Sequence, residues 1–170
     1  MERSQVYLRR VAANDVDELR SCFAASAKHL RGWASPRFDD QIFELMLADA
    51  SLDTKESFLI CRREDNATVG QINLSQIFRR GFQNAYLGYY LFAPFTGQGY
   101  MTEAVKLILR FAFNDLRLHR IEANVQPENQ PSIDVLIRCG FRKEGFSPRY
   151  LKIGGKWRDH ERWAILRDEF

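Results

Sequence analysis

Apolar residues in this chain recur with two periods, and the change of period marks the elements. Alternation predicts a strand from Val6 to Val11. Asn14 then stands where it can cap a helix over Val16, Leu19, Cys22 and Phe23, with Asp17 in its first turn. A second helical stretch covers Ala25 to Trp33, Pro36 interrupts, and a third amphipathic segment runs from about Asp39 to Ala50. The middle of the chain is strand-like: Ser57–Arg63, Thr68–Phe78 and Asn84–Phe92, joined by the turn residues Glu64-Asp65-Asn66 and by Gly81. Such short connections predict an antiparallel meander.

Tyr100 to Asn114 has the strongest helical period, with Met101, Ala104, Val105, Ile108, Phe111 and Ala112 on one face. His119–Val125 alternates again. Pro131–Cys139 reads as a short helix, with proline at its start and Gly140 past its end. Phe146–Ile153 and Lys156–Leu166 form a hairpin turning at Gly154-Gly155. Strand, helix and strand across residues 86–125 make a βαβ unit, so those two strands are expected to be parallel. The expected fold class is mixed α/β in the α+β sense: one domain over residues 1–170, with a mixed, mostly antiparallel sheet flanked by helices.

Composition narrows the functional classes. With 45% hydrophobic and 13% aromatic residues, a chain of 170 residues can build one sizeable core. The net charge of +3 is too small to argue for nucleic acid without a clustered basic face, and no such site is evident. Cys22, Cys61 and Cys139 lie far apart and read as buried free thiols of a reducing compartment. No residues have metal-ligand spacing, so no metal is expected. The first residues carry no apolar run of leader length and no segment approaches ~18 consecutive apolar residues, which predicts a cytoplasmic protein away from membranes.

The informative segment is Leu91-Phe92-Ala93-Pro94-Phe95-Thr96-Gly97-Gln98-Gly99-Tyr100-Met101. A strand ends at Pro94, a short loop with Gly97 and Gly99 follows, and the strong helix begins at once. Glycines let the backbone approach a ligand, and the exposed N–H groups of a helix start favour an anion such as a pyrophosphate. A tight turn with glycines for geometry alone is the competing reading.

Further motifs follow in order: Thr102-Glu103-Ala104, Leu118-His119-Arg120-Ile121, Asn129-x-x-Ser132, Cys139-Gly140-Phe141, Lys143-Glu144-Gly145 and the terminal Gly155-Lys156-Trp157-Arg158-Asp159-His160. Together they resemble the GNAT acetyltransferase superfamily, and within it the RimJ/RimL branch of ribosomal-protein N-terminal alanine acetyltransferases. The resemblance covers nearly the whole chain and implies helices on both faces of the sheet. It implies acetyl-coenzyme A as co-substrate, with the backbone of Tyr90, Leu91 and Phe92 along the pantetheine arm. The amides of Thr96, Gly97, Gly99, Tyr100 and Met101 would hold the pyrophosphate, and Asn129 and Ser132 would face the coenzyme. Trp33 and Phe38 fall in a segment that lines the acceptor side of such enzymes, or are simply core.

The chain departs from the superfamily pattern at Thr96 and Met101, where the loop usually has Gln or Arg and a small residue. It departs again at Leu136, where many members carry a tyrosine acid, which leaves Ser132 as the candidate to assist the leaving thiolate. No side chain stands out as a base. Glu103 reads as a solvated helix-start carboxylate, His119 as structural, and Asp159 with His160 as an exposed ion-paired face. Arg79 and Arg80 read as solvated. The resemblance implies transfer of acetyl to the N-terminal α-amine of a ribosomal or other protein. A small amine acceptor (polyamine, amino acid or antibiotic) and a non-catalytic coenzyme-binding partner protein are the alternatives, and a homodimer is an open expectation.

Overall fold

A computed structural model describes residues 4–34, 37–49 and 52–170. Strands β1 (Val6–Arg9), β2 (Glu56–Arg62), β3 (Thr68–Phe78), β4 (Asn84–Leu91), β5 (Arg120–Val125), β6 (Arg142–Ile153) and β7 (Lys156–Leu166) form one sheet in the order β1-β2-β3-β4-β5-β7-β6. Every neighbouring pair is antiparallel except β4 and β5, which are parallel as the crossover requires. Helices α1 (Val16–Leu30), α2 (Asp40–Ala48), α3 (Tyr100–Arg110) and α4 (Gln130–Arg138) cover the sheet. Strand alternation sorts them to two faces. In β2, Ile60 joins a core with α3 and α4 residues, whereas Leu59 and Cys61 join a second core with Leu19, Phe23, Phe43 and Met46 of α1 and α2.

Several elements differ from expectation. The first two helical stretches are one continuous α1, because Leu19, Phe23, Ser26 and Leu30 keep a single buried stripe. The helix stops at Leu30, whose carbonyl accepts from Trp33 N and Ala34 N, with Gly32 at φ +95°. Asn14 does not cap it. Asp15 occupies the cap position and turns its carboxylate back, accepting from Ala12 N at 2.7 Å and from both Arg9 Nη atoms at 2.7 and 2.8 Å. Helix α2 is capped by Asp39, whose Oδ1 accepts from Ile42 N at 2.9 Å. The expected break at Pro36 and the expected end of that helix at Ala50 lie outside the described residues.

Strand β1 ends at Arg9 rather than Val11, and β6 begins at Arg142, four residues before the apolar pattern starts, because β7 supplies the pairing that the polar Arg142-Lys143-Glu144 run does not advertise. Helix α3 continues into a π-helical turn at Phe111–Asp115, which brings Leu118 N to Ala112 O at 3.0 Å.

His160 and Glu103 also correct the sequence reading, whereas His119 keeps the structural role expected of it. His160 is buried, 2% exposed, with Nδ1 3.0 Å from Arg158 O and the Tyr150 ring packed on it; only Asp159 of that pair is exposed. His119 is exposed and serves through its backbone, N to Gln83 O and O to Arg167 N. Glu103 is no free surface carboxylate. It accepts from Ser4 Oγ and Gln5 N, each at 2.7 Å, and from Gln5 Nε2 at 2.9 Å, which ties the start of β1 to α3. Partial burial pushes its carboxyl up, but these bonds outweigh that and hold it below the usual range. The three thiols are free, and Cys22 is only half-buried. Among the described residues, no helix is long and apolar enough to cross a membrane, and no cluster of His, Cys, Asp or Glu could hold a metal.

Asp15 is the most exacting of these joints. Burial pushes its carboxyl up, yet Arg9 and the Ala12 amide more than reverse this, so the folded state holds it below its ordinary value. A depressed carboxyl stabilises the fold above its unfolded pKa and loses that contribution as pH falls through the folded one. Asp15→Asn should therefore cost about 1–3 kcal/mol in urea unfolding at pH 7. The gap to the unmodified protein should close as pH drops below about 4. A gap that stayed constant with pH would mean that the ion pair contributes nothing.

Candidate active site

The sheet opens at its centre. Strands β4 and β5 pair only at Asn84↔Arg120, Ala85↔Ile121 and Tyr86↔Glu122; beyond that, β4 runs on to Leu91 and β5 to Val125 without meeting. On its other edge β4 stays bonded to β3, and Phe92 N extends that ladder to Val69 O at 2.9 Å. Antiparallel alternation then assigns Tyr90 and Gly88 to bonded pairs with β3, so the Tyr90 backbone is spent on the sheet and is not free for a pantetheine arm as the resemblance implied. The backbone groups of Leu87, Tyr89 and Leu91 consequently face the gap. An extended, amide-bearing chain laid in this wedge meets a free strand edge, which is what a pantetheine arm requires.

Beyond β4 the chain makes a 3-10 turn at Ala93–Phe95. Ala93 N donates to Ser26 Oγ of α1 at 2.9 Å, and the Arg62 guanidinium lies 5.3 Å from the Phe95 ring centroid. In the loop itself, Thr96 Oγ1 and Gln98 Nε2 donate to the carbonyls of Ala93 and Pro94 at 3.2 and 3.1 Å. The loop's polar side chains thus satisfy its carbonyls. The amides of Gly97 and Gly99 make no hydrogen bond among the described residues. Gly97 and Gly99 take φ of +75° and +83°, and a Cβ built at either would meet no atom within 4 Å. The glycines are there for backbone conformation and to leave open space, the two features a pyrophosphate needs. Gly99 caps α3 with no side-chain bond, so the first amides of α3 are also free for an anion.

Helix α4 closes the wedge from the far side. Asn129 caps it, its Oδ1 3.4 Å from Ser132 N. The Tyr89 hydroxyl reaches across the gap to Ser132, 2.9 Å from Oγ and 3.2 Å from the carbonyl oxygen. Burial pushes the Tyr89 phenol well above the usual tyrosine range, so it remains a proton donor. Its single proton can serve either oxygen. When it goes to Ser132 Oγ, the serine hydroxyl proton is free to point into the cleft.

The cleft encloses about 390 Å³. Of the residues picked out from the sequence, Trp33, Tyr90, Leu91, Thr96, Gly97, Gly99, Met101, Asn129 and Ser132 line it. Three do not. Phe92 is buried under α1, its N–H bonded to Val69 and its carbonyl to Phe95 N, so nothing of its backbone is left for a ligand. Tyr100 turns its side chain to a separate open hollow with Tyr7 and Arg62, while its amide stays among the free N–H groups at the start of α3. Phe38 stacks on Phe23 at 5.0 Å and belongs to the core.

The sequence reading missed His29, Tyr89, Thr102, Asp134 and Arg138 on the lining. Tyr89 was readable in principle: it lies two and four residues from Leu87 and Ala85, on the face that meets α3 and α4. Arg138 and Asp134 follow from the helical period of α4, one turn apart. Among the described lining residues Asp134 is the only carboxylate, and its Oδ1 accepts from Gln130 Nε2 at 2.8 Å.

Comparison with known proteins gives this geometry a context. A family profile described as an acetyltransferase (GNAT) domain matches residues 5–142. The probable N-acetyltransferase YjcK of Bacillus subtilis is 44% identical over 117 residues, 69% of this chain and 65% of that protein. The [ribosomal protein uS5]-alanine N-acetyltransferase of Escherichia coli is 40% identical over 107 residues, 63% of this chain and 55% of that protein. The matches thus span less than two thirds of those relatives' lengths. Among solved structures, Mycobacterium smegmatis RimJ in complex with CoA-disulfide superposes with a TM-score of 0.89 at 34% identity, covering 97% of this chain and 83% of that one.

The loop yields a direct test. Gly99→Val forces a β-branched residue into a left-handed conformation at the mouth of α3. Coenzyme A affinity, measured by calorimetric titration, should fall at least about tenfold, the equivalent of ~1.4 kcal/mol of lost loop geometry. Unchanged affinity in a folded variant would remove the loop from the site.

Proposed function

Because this chain belongs to the GNAT acetyltransferase domain family, we propose that it transfers the acetyl group of acetyl-coenzyme A to the N-terminal α-amine of a polypeptide, a ribosomal protein foremost. The observation that carries the reading is the single wedge in which a free strand edge, an anion-ready helix start and the Tyr89–Ser132 hydroxyl pair converge. The 40% identity to a uS5-alanine N-acetyltransferase supports a protein acceptor. The lining supports it as well. A polyamine carries several charges that need carboxylates, and Asp134 alone, with Arg138 one turn away and His29 also on the wall, is a poor counterpart.

Bound acetyl-coenzyme A supplies an activated thioester; the protein's part is positioning and proton handling. Backbone groups at Tyr89 and Leu91 hold the arm extended, and an N–H of this edge is a donor for the carbonyl oxygen where charge develops. Ser132 Oγ donates toward the departing sulfur while Tyr89 steadies the serine from behind. A strong base is not required. An α-amine with a pKa of about 7.7–8.0 is neutral to roughly a tenth at pH 7, whereas a lysine amine near 10.4 is neutral to well under ~0.1%. A cytoplasmic location goes with this reading.

Ser132→Ala should lower kcat by ~10- to 10³-fold with little change in coenzyme affinity. Tyr89→Phe should cost about tenfold in kcat, the worth of one hydrogen bond near 1.4 kcal/mol. Equal kcat for both variants and the parent, in an assay limited by chemistry, would move the proton donor to water or backbone.

The acceptor is tested by pH. For an alanine- or serine-initiated peptide, kcat/KM should rise with pH and level off near pH 8, where the α-amine itself titrates. Spermidine, if used at all, should keep gaining beyond pH 9. Faster turnover of spermidine, with no activity on any peptide α-amine, would overturn the protein acceptor and leave the acetyltransferase assignment intact.

A further inference from the structure

The net charge of the chain is small, and it is unevenly distributed. Residues 149–158 hold Arg149, Lys152, Lys156 and Arg158 and no acidic residue; the other Lys and Arg number 21 against 22 Asp and Glu. The whole positive excess therefore sits in ten consecutive residues at the tip of the β6–β7 hairpin. Among the described residues, none of these four side chains has an ion-pair partner, whereas Arg142 and Lys143 at the root of the same hairpin pair with Glu144, Glu169 and Glu161.

The tip is an arm. Strand β5 ends at Val125, opposite Glu161, so residues 156–160 of β7 run past it, with β6 as their partner. Five strand residues reach about 16 Å. They project from the end of the sheet at which β4 enters the loop before α3, the end where the cleft opens. Two positive-φ glycines, Gly154 at +57° and Gly155 at +80°, make the tight turn. At its root the pairing jumps from Ser147↔His160 to Leu151↔Arg158, with Arg149 at φ +48° and its N–H held by Asp159 Oδ1 at 2.7 Å. A bulge of this kind increases twist and re-aims the outer part of the hairpin.

The arm also carries a large aromatic. Trp157 is 61% exposed and stands opposite Lys152; Leu151 faces Arg158 and Ile153 faces Lys156. Each of these three apolar side chains thus has a cation directly across the ladder. This interleaving leaves no continuous apolar face for a lipid surface. An acidic peptide would use the cations and leave the indole without a role. A flexible phosphodiester chain with stackable bases uses both.

We infer that the β6–β7 tip is a docking arm for single-stranded or looped RNA, which holds an RNA-bound polypeptide with its N-terminus near the cleft. Arg149, Lys152, Lys156 and Arg158 contact phosphates, and Trp157 stacks on a base. The binding is independent of the acetyl acceptor and is read without coenzyme, so its failure would leave the acceptor reading untouched.

The probe is a fluorescein-labelled, mixed-sequence RNA of about 20 nucleotides, followed by anisotropy with the full chain; four phosphate contacts on a single strand predict a loss of about 50-fold in affinity between 50 and 200 mM salt. The combined Lys152→Glu, Lys156→Glu, Arg158→Glu variant should lose at least about 30-fold at low salt, and Trp157→Ala about tenfold. Thiol release from acetyl-coenzyme A with an alanine-initiated peptide should stay within about twofold of the parent in both, which separates lost docking from lost folding. The salt dependence of the unmodified protein tests the idea even if the triple variant misfolds. Absence of saturable RNA binding at 50 mM salt, equal affinity for polyglutamate or anionic vesicles, or an unaltered Trp157→Ala variant would each overturn it.

Discussion

The pairing of β4 with β5 lasts for three register steps and then fails, and the rest of the molecule is organised around that failure. Parallel strands in one sheet are normally bonded along their length. Here β3 holds one side of β4 and β7 one side of β5, so the two strands can diverge without losing their other partners. The free edge this creates is chemically strong, because unpaired backbone groups seek partners, and it is protected from neighbouring chains because α3 and α4 pack over one face. Ser26 fixes the start of the following loop from the opposite layer. Tyr89 spans the opening at the point where a hydrogen-bond donor is most useful.

Much of this was legible in the sequence where a single periodicity governed a segment. The stripe of α3, the parallel crossover, the turn at Gly154-Gly155 and the loop around Gly97 and Gly99 all follow from local rules, and the sheet bears them out. Local rules failed where a distant residue decided the outcome. Nothing near Glu103 reveals that Ser4 and Gln5 will reach it, and nothing near His160 reveals the bulge that lays Tyr150 on it. Phe38 has the look of an acceptor-side residue and is a stacking partner of Phe23, because aromatic rings within about 7 Å satisfy one another first. Of the candidate site, the glycine loop and the Asn129–Ser132 step were readable. Tyr89 is easily overlooked because a tyrosine in a strand most often serves packing.

Carboxylates show a similar division of labour. Asp15, Glu103, Glu122, Glu144 and Glu161 are each bound by cations or amides inside the scaffold. These partners hold strands and helices in register and commit the acids to the scaffold. The cleft keeps a single carboxylate among its described lining residues, Asp134, beside Arg138, His29, hydroxyls and amides. On the reading proposed above, such a site assists a leaving group and orients a carbonyl, and it suits acceptors that reach it already uncharged.

Two glycines of the sheet limit how this scaffold can drift over evolutionary time. A Cβ at Gly70 would come within 2.3 Å of Tyr90 O, and one at Gly88 within 2.7 Å of Asn73 Oδ1. At Gly70 the clash is with backbone, so a side chain there would force β3 and β4 apart beside the wedge; at Gly88 the Asn73 side chain would have to turn away. The helical segments and hairpin tips around the acceptor end face no such restriction. On this frame the periphery can be rewritten without a steric penalty in the sheet, whereas a side chain at either of these two positions requires a neighbour in β3 or β4 to move.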